Sequence, residues 1–268
     1  MAAPTQRVVI HAGFHKTGTS SVQDTLRLNG PLLYPQMALG LRPKLKPIIH
    51  AARGYSTWRD PISLAKTALR FGDYVRQLDL PPRRQLLISA EELAGHLPGR
   101  DTLADYSAAP DLMRVYAAQL TEIFGRRLDL TFVFSMRLPE PWLRSAYWEH
   151  VKASRMVLDF DDYADRYRGS TDLPAIVNDI ITEVAPCKVE AFWLEDCADL
   201  PLGPATPILD LMRLTPERRA QLKPAPRSNV ALGDAVLTEL LALNRSGLDP
   251  DALLAAKKAV LARAGQSS

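Results

Sequence analysis

Residues 7–21 read Arg7-Val8-Val9-Ile10-His11-Ala12-Gly13-Phe14-His15-Lys16-Thr17-Gly18-Thr19-Ser20-Ser21. An apolar run followed by a glycine-bounded turn predicts a buried strand, a loop and then a helix. Gly13 and Gly18 keep the glycine spacing of a Walker A phosphate loop, and Ser20 keeps its hydroxyl. The Walker lysine position holds Thr19, whereas Lys16 lies inside the loop. Backbone N–H groups at such a turn, together with the helix start, can cradle an anion. The displaced cation would then touch a different atom of that anion. The bland alternative is a tight turn with a solvated lysine. The crowding of Lys16, Thr17, Thr19, Ser20 and Ser21 into one turn favours the anion site. His15 is read as a packing residue.

Working outward, further apolar runs at 84–89 and 128–135, and a weaker one at 188–193, predict more strands beside 7–12. Helical patterns fall at 18–28, 61–79, 111–124, 139–154, 172–184, 229–244 and 250–264. Pro61, Pro139 and Pro250 suit first-turn positions, and Asp60 and Asp249 suit N-caps. Alternating strands and helices predict an α/β fold, a mostly parallel sheet flanked by helices on both faces. Ligands bind such sheets at the carboxyl ends of the strands. The 13–21 loop, Glu91 with Glu92, and Arg137 all fall there. Residues 30–60 and 214–228, rich in Pro and Arg, read as irregular surface segments.

With 268 residues, 47% of them hydrophobic, the chain can bury a sizeable core. A net charge of +3 fits an anionic small ligand and, with no block of Lys and Arg, does not demand nucleic acid. Cys187 and Cys197 make neither a disulfide framework nor a zinc pattern, which suggests ordinary thiols in a reducing compartment. No apolar stretch is long enough to span a membrane, and the N-terminus lacks a signal-peptide core. The expectation is a cytoplasmic protein.

A second constellation follows the third strand: Arg137-Leu138-Pro139, then Ser145-Ala146-Tyr147 in the next helix. An arginine fork suits phosphate, and a hydroxyl adds a donor. Alone, Ser145 would read as an ordinary helical serine. Together, Phe14-His15-Lys16-Thr17-Gly18-Thr19-Ser20-Ser21 and the Arg-x-Pro…Ser-x-Tyr spacing resemble the two phosphate-binding motifs of the sulfotransferases that use 3′-phosphoadenosine 5′-phosphosulfate (PAPS). The bacterial members with a Lys-Thr-Gly-Thr loop are the most similar. Leu138 departs from the family, which often has Asp or Asn there.

The resemblance implies a P-loop NTPase-like sulfotransferase fold in one domain over residues 1–268. It implies sulfuryl transfer from PAPS to a hydroxyl or amine of a carbohydrate, lipid or small molecule, with no metal. Lys16 would contact the bridging oxygen and leaving phosphate. Thr17, Gly18, Thr19, Ser20 and Ser21 would hold the 5′-phosphate, and Arg137 and Ser145 the 3′-phosphate. Family members place a His or Glu near the second strand end as general base. Glu91 is the choice here and Glu92 the reserve, against the alternative that either merely begins a helix. His11 and His50 are weaker candidates, and His11, on a buried strand, reads as structural. Arg227, in Arg227-Ser228-Asn229, could close over the 3′-phosphate or simply precede a helix cap. Two rivals remain: an ATP-dependent small-molecule kinase, which lacks its Walker lysine and an acid after strand 128–135, and a non-catalytic nucleotide-binding protein of the same fold.

Overall fold

Strand β1 (Gln6–His11) is buried along its whole length, and the reason is its position. In the computed structural model, which describes residues 5–100, 103–226 and 233–266, β1 lies at the centre of a five-stranded sheet ordered β2-β3-β1-β4-β5. The others are β2 (Met37–Leu41), β3 (Gln85–Ser89), β4 (Leu128–Met136) and β5 (Lys188–Trp193). Every neighbouring pair is parallel. The chain moves to one side of β1 to build β2 and β3, then to the other for β4 and β5. The carboxyl end of β1 therefore sits at the switch point where α/β sheets open a crevice.

Period-two alternation divides the strand side chains between two cores. Val8, Ile10, Leu86, Ile88, Phe132 and Phe134 belong to one, while Val9, Leu87 and Val133 belong to the other. Both faces are covered, which is why these strands read as continuous apolar runs rather than alternating ones. Edge strand β5 carries the exposed Lys188 and Glu190, charges that discourage further strand pairing.

The helices are α1 (Thr19–Leu28), α2 (Gly30–Leu33), α3 (Lys46–Trp58), α4 (Pro61–Gln77), α5 (Ala109–Phe124) and α6 (Pro139–Ala153), then α7 (Phe160–Tyr167), α8 (Leu173–Glu183), α9 (Ala205–Asp210), α10 (Pro216–Ala220), α11 (Asp234–Arg245) and α12 (Pro250–Gln266). Asp60 caps α4 by accepting from Ser63 N at 2.8 Å, as its sequence position suggests. Helix α1 packs Val22 and Leu26 with Ile208 and Leu209 of α9 under one sheet face. Helices α5, α6 and α8 pack on the other, with Leu240 of α11 and Val260 of α12.

Residues 30–60 are not the irregular segment their Pro and Arg content suggests. They form α2, β2 and α3. Strand β2 was masked by its glycine and by short length, and it is stabilised as an edge through register with β3 (Leu39 opposite Leu87). Pro47 sits in the first turn of α3, where a missing N–H costs nothing. Residues 216–220 likewise form the short α10 within a segment read as irregular. Among the described residues no helix is long and apolar enough to cross a membrane. Cys187 and Cys197 are both free thiols.

Candidate active site

The loop from Ala12 to Gly18 is anchored to β4, since Ala12 N and Gly13 N both donate to Val133 O, at 3.2 and 3.4 Å. Its two glycines are needed for different reasons. A Cβ on Gly13 would lie 2.9 Å from Thr19 Oγ1 and 3.1 Å from both His11 Nε2 and Ser135 Oγ. Gly18 has φ 91°, and a Cβ there would meet Leu194 Cδ1 at 2.6 Å. Lys16, between them, is itself left-handed at φ 66°, a conformation non-glycine residues seldom adopt. Thr17 is wholly buried, bonded to Phe14 O at 2.5 Å and to Ser135 Oγ at 2.7 Å. The loop is thus rigid beneath and cationic above.

Helix α1 then starts without protection. Gly18 offers no side-chain cap, and no acid occupies the first turn. Val22 N is the first amide to bond back, to Gly18 O at 3.2 Å. The preceding N–H groups have no intrahelical acceptor, and they carry the positive end of the helix dipole. Thr19 Oγ1 is buried with no hydrogen-bond partner among the described residues. Ser20 is exposed and Ser21 half-buried beside it. An uncapped helix start with an orphaned hydroxyl fits an anion.

Three further elements close on the loop. Arg137, directly after β4, donates from Nη1 to Lys16 O at 3.2 Å and lies 4.0 Å from Glu195 Oε1. Trp142 of α6, fully buried, donates to His15 O at 2.9 Å. Lys16 Nζ lies 3.3 Å from Glu149 Oε2, and Glu149 also pairs with Lys152 at 2.9 Å. Ser145 is half-buried on the second turn of α6 and makes no side-chain hydrogen bond among the described residues. Tyr147 is core: its hydroxyl donates to Leu158 O at 2.9 Å.

At the neighbouring strand end, Glu91 and Glu92 open a 3₁₀ turn after β3. They differ sharply. Glu92 is fully buried and bound by Arg42 Nε at 2.6 Å and Arg53 Nη2 at 3.1 Å. Glu91 accepts from Gln23 Nε2 of α1 at 3.1 Å. Burial, reinforced by the adjacent Glu92 charge, pushes the Glu91 carboxyl up to about 7, against the pull of its own backbone N–H and of Arg42 and Arg53. Glu92 is held by two guanidinium groups through Oε1, and its buried Oε2 has no hydrogen-bond partner among the described residues.

The histidines sort themselves. His11 bridges Ser89 Oγ at 2.9 Å and Ser135 Oγ at 3.2 Å, tying β3, β1 and β4 together. Burial lowers it to about 3, so it is a neutral structural group. His15 sits on Tyr106, 3.1 Å from its hydroxyl, and is held well below the usual imidazole range by burial and by His96, Arg53, Lys16 and Arg42. His50 is exposed on α3.

The tertiary structure therefore brings Lys16, Thr17, Gly18, Thr19, Ser20, Ser21 and Arg137 together, with Glu91 one strand away. Arg227 lies outside the described residues. Sequence reasoning missed Glu195, Arg42 and Arg53, which meet the site through the fold; Glu149 was visible only as one of a polar and aromatic cluster with Tyr147, Trp148 and His150 on the helix after the third strand. A cavity of about 620 Å³ opens beside α3, lined by Arg42, Lys46, His50, Arg53 and Trp58 among others. A larger one, about 820 Å³, lies at the opposite edge of the sheet near Thr5, Gln85 and Arg213, remote from the loop.

No protein-family model and no curated protein matches the chain. Among solved structures it is similar to the crystal structure of a sulfotransferase from Alicyclobacillus acidocaldarius, at 15% sequence identity and a TM-score of 0.48, with 98% of this chain and 96% of that one covered.

Proposed function

We propose that this protein is a sulfotransferase that moves the sulfuryl group of PAPS to an acceptor hydroxyl or amine. The observation that carries the reading is the cationic loop itself. Lys16 is inside it, Thr19 stands where a Walker lysine would be, and the uncapped start of α1 lies beneath. The orphaned Thr19 hydroxyl and the unmatched helix start fit a 5′-phosphate. Arg137, bonded to the Lys16 carbonyl, would meet a second phosphate, with Ser145 and Arg227 as further proposed contacts.

When bound, PAPS supplies an activated sulfuryl group on a phosphate leaving group. Lys16 neutralises charge as it develops on that phosphate. Its present partner does not prevent this. A partly solvated ion pair such as Lys16–Glu149 is worth about 0–1 kcal/mol, weak enough to exchange for a phosphate oxygen. Glu91 takes the acceptor proton as the new bond to sulfur forms. With its pKa near neutrality, it is ionised often enough to act as a base and basic enough to be effective. Gln23 orients the carboxylate from α1, so the same helix that cradles the phosphate positions the base.

Calorimetric titration with 3′-phosphoadenosine 5′-phosphate and, separately, with MgATP tests the reading. Binding of the bisphosphate well above MgATP is expected. Preference for MgATP would move the protein to the kinases and overturn the proposal. Bisphosphate binding without sulfuryl release across an acceptor panel would leave a non-catalytic nucleotide-binding protein.

A further inference from the structure

The cavity beside α3 has a chemistry of its own. Arg42, Lys46, His50 and Arg53 line it, and no aspartate or glutamate is among its described lining residues. Arg42 and Arg53 share the single buried carboxylate of Glu92. Two guanidinium charges against one carboxylate leave a net positive wall. Glu92 holds both from beneath while their side chains remain partly exposed. Lys46 is exposed at the start of α3 and has no ion-pair partner among the described residues. A cleft lined by one sign of charge concentrates the opposite sign in a ligand, and arginine forks recognise carboxylate and sulfate in particular.

Two features tie the cleft to the reaction. Arg42 and Arg53 both act electrostatically on Glu91, the proposed base, and on His15 in the loop. The cleft also starts where β2 ends, at the same carboxyl edge of the sheet as the loop. At its far end Trp58 is 71% exposed, an indole face available to stack on a flat ring. The cavity volume suits a ligand of one or two rings.

Resting on the sulfotransferase reading, we infer that this cleft is the acceptor subsite and takes an acidic, sugar-sized hydroxyl compound. Its carboxylate or sulfate meets Arg42, Lys46 and Arg53, its ring meets Trp58, and its hydroxyl faces Glu91.

The test compares methyl glucuronide with methyl glucoside, which differ only in the acidic group. Binding to each is followed by NMR on the free chain and on the chain saturated with 3′-phosphoadenosine 5′-phosphate. The glucuronide should bind about tenfold more tightly. Lys46→Glu, which reverses an exposed charge of the cleft, should remove that preference while bisphosphate affinity stays the same. Arg42→Gln should weaken it in the same direction. Equal affinity for the two glycosides, or a preference that Lys46→Glu leaves untouched, would overturn the inference. So would binding to phosphatidylglycerol vesicles in place of the glucuronide, which would make the cleft a lipid-headgroup site. Failure of the bisphosphate to bind would remove the donor reading and its acceptor role with it. The free-chain comparison would still decide whether the cleft selects acidic rings.

Discussion

Replacing Glu91 by Gln should make the protein more stable at alkaline pH and inactive at the same time. The carboxyl is raised from about 4.5 to about 7 in the folded chain by burial and by Glu92. A raised acid stabilises the folded state while it is protonated. That contribution is complete below the unfolded value and is lost as pH climbs through the folded one, so the loss falls between about pH 4.5 and 7. At ~1.4 kcal/mol per unit, the full loss is roughly 3 kcal/mol above neutrality, an upper figure because Glu91 and Glu92 share their charge. Gln keeps the shape and can still accept from Gln23, but it carries no charge to desolvate. Urea unfolding of both proteins at pH 4 and pH 8 reads the difference. The variant should match the parent near pH 4 and exceed it by about 2–3 kcal/mol at pH 8, with a melting temperature higher by roughly 5–10 °C. Sulfuryl transfer by the parent should rise through an apparent pKa near 7, and the variant should lose that limb. A variant less stable than the parent at pH 8, or one that keeps the pH-dependent rate, would refute the account of Glu91.

Lys16→Ala should lower the transfer rate on the order of 10²–10³, as for loss of one preorganised charge partner, and near-full activity in steady-state kinetics would remove Lys16 from the chemistry. Glu149→Gln frees Lys16 from its competitor and should tighten 3′-phosphoadenosine 5′-phosphate about two- to fivefold by calorimetry; weaker binding would mean that Glu149 instead orients the lysine. Arg137→Ala should weaken the same ligand by roughly 2–4 kcal/mol, and equal affinity would exclude the arginine from the phosphate site. Gly18→Ala should cost about 1–3 kcal/mol in thermal unfolding, because φ 91° and the approach of Leu194 both oppose a side chain.

The local pattern of residues 7–21 was enough to place a strand, a glycine loop and a helix in order, because each depends on neighbours in the chain. Strands β1, β3, β4 and β5 and the helices at 61–77, 139–153 and 250–266 were legible for the same reason: period, length and capping residues are local properties. Strand β2 was not. Its five residues carry a weak pattern, and pairing with β3 rather than propensity makes them extended.

The candidate site divides along the same line. Lys16, Thr17, Thr19 and Arg137 were visible from spacing and strand-end position. Which acid is free to act was not visible. Glu91 and Glu92 are adjacent and chemically alike in sequence. Only the fold sends Arg42 and Arg53, from a segment remote in the chain, onto Glu92 and leaves Glu91 with Gln23. The glycine spacing and the displaced lysine were determined by sequence alone. The charge state of the Glu91 carboxylate, and the basic cleft lined by Arg42 and Arg53, were decided by tertiary structure, since desolvation and Coulomb pairing depend on distance in space.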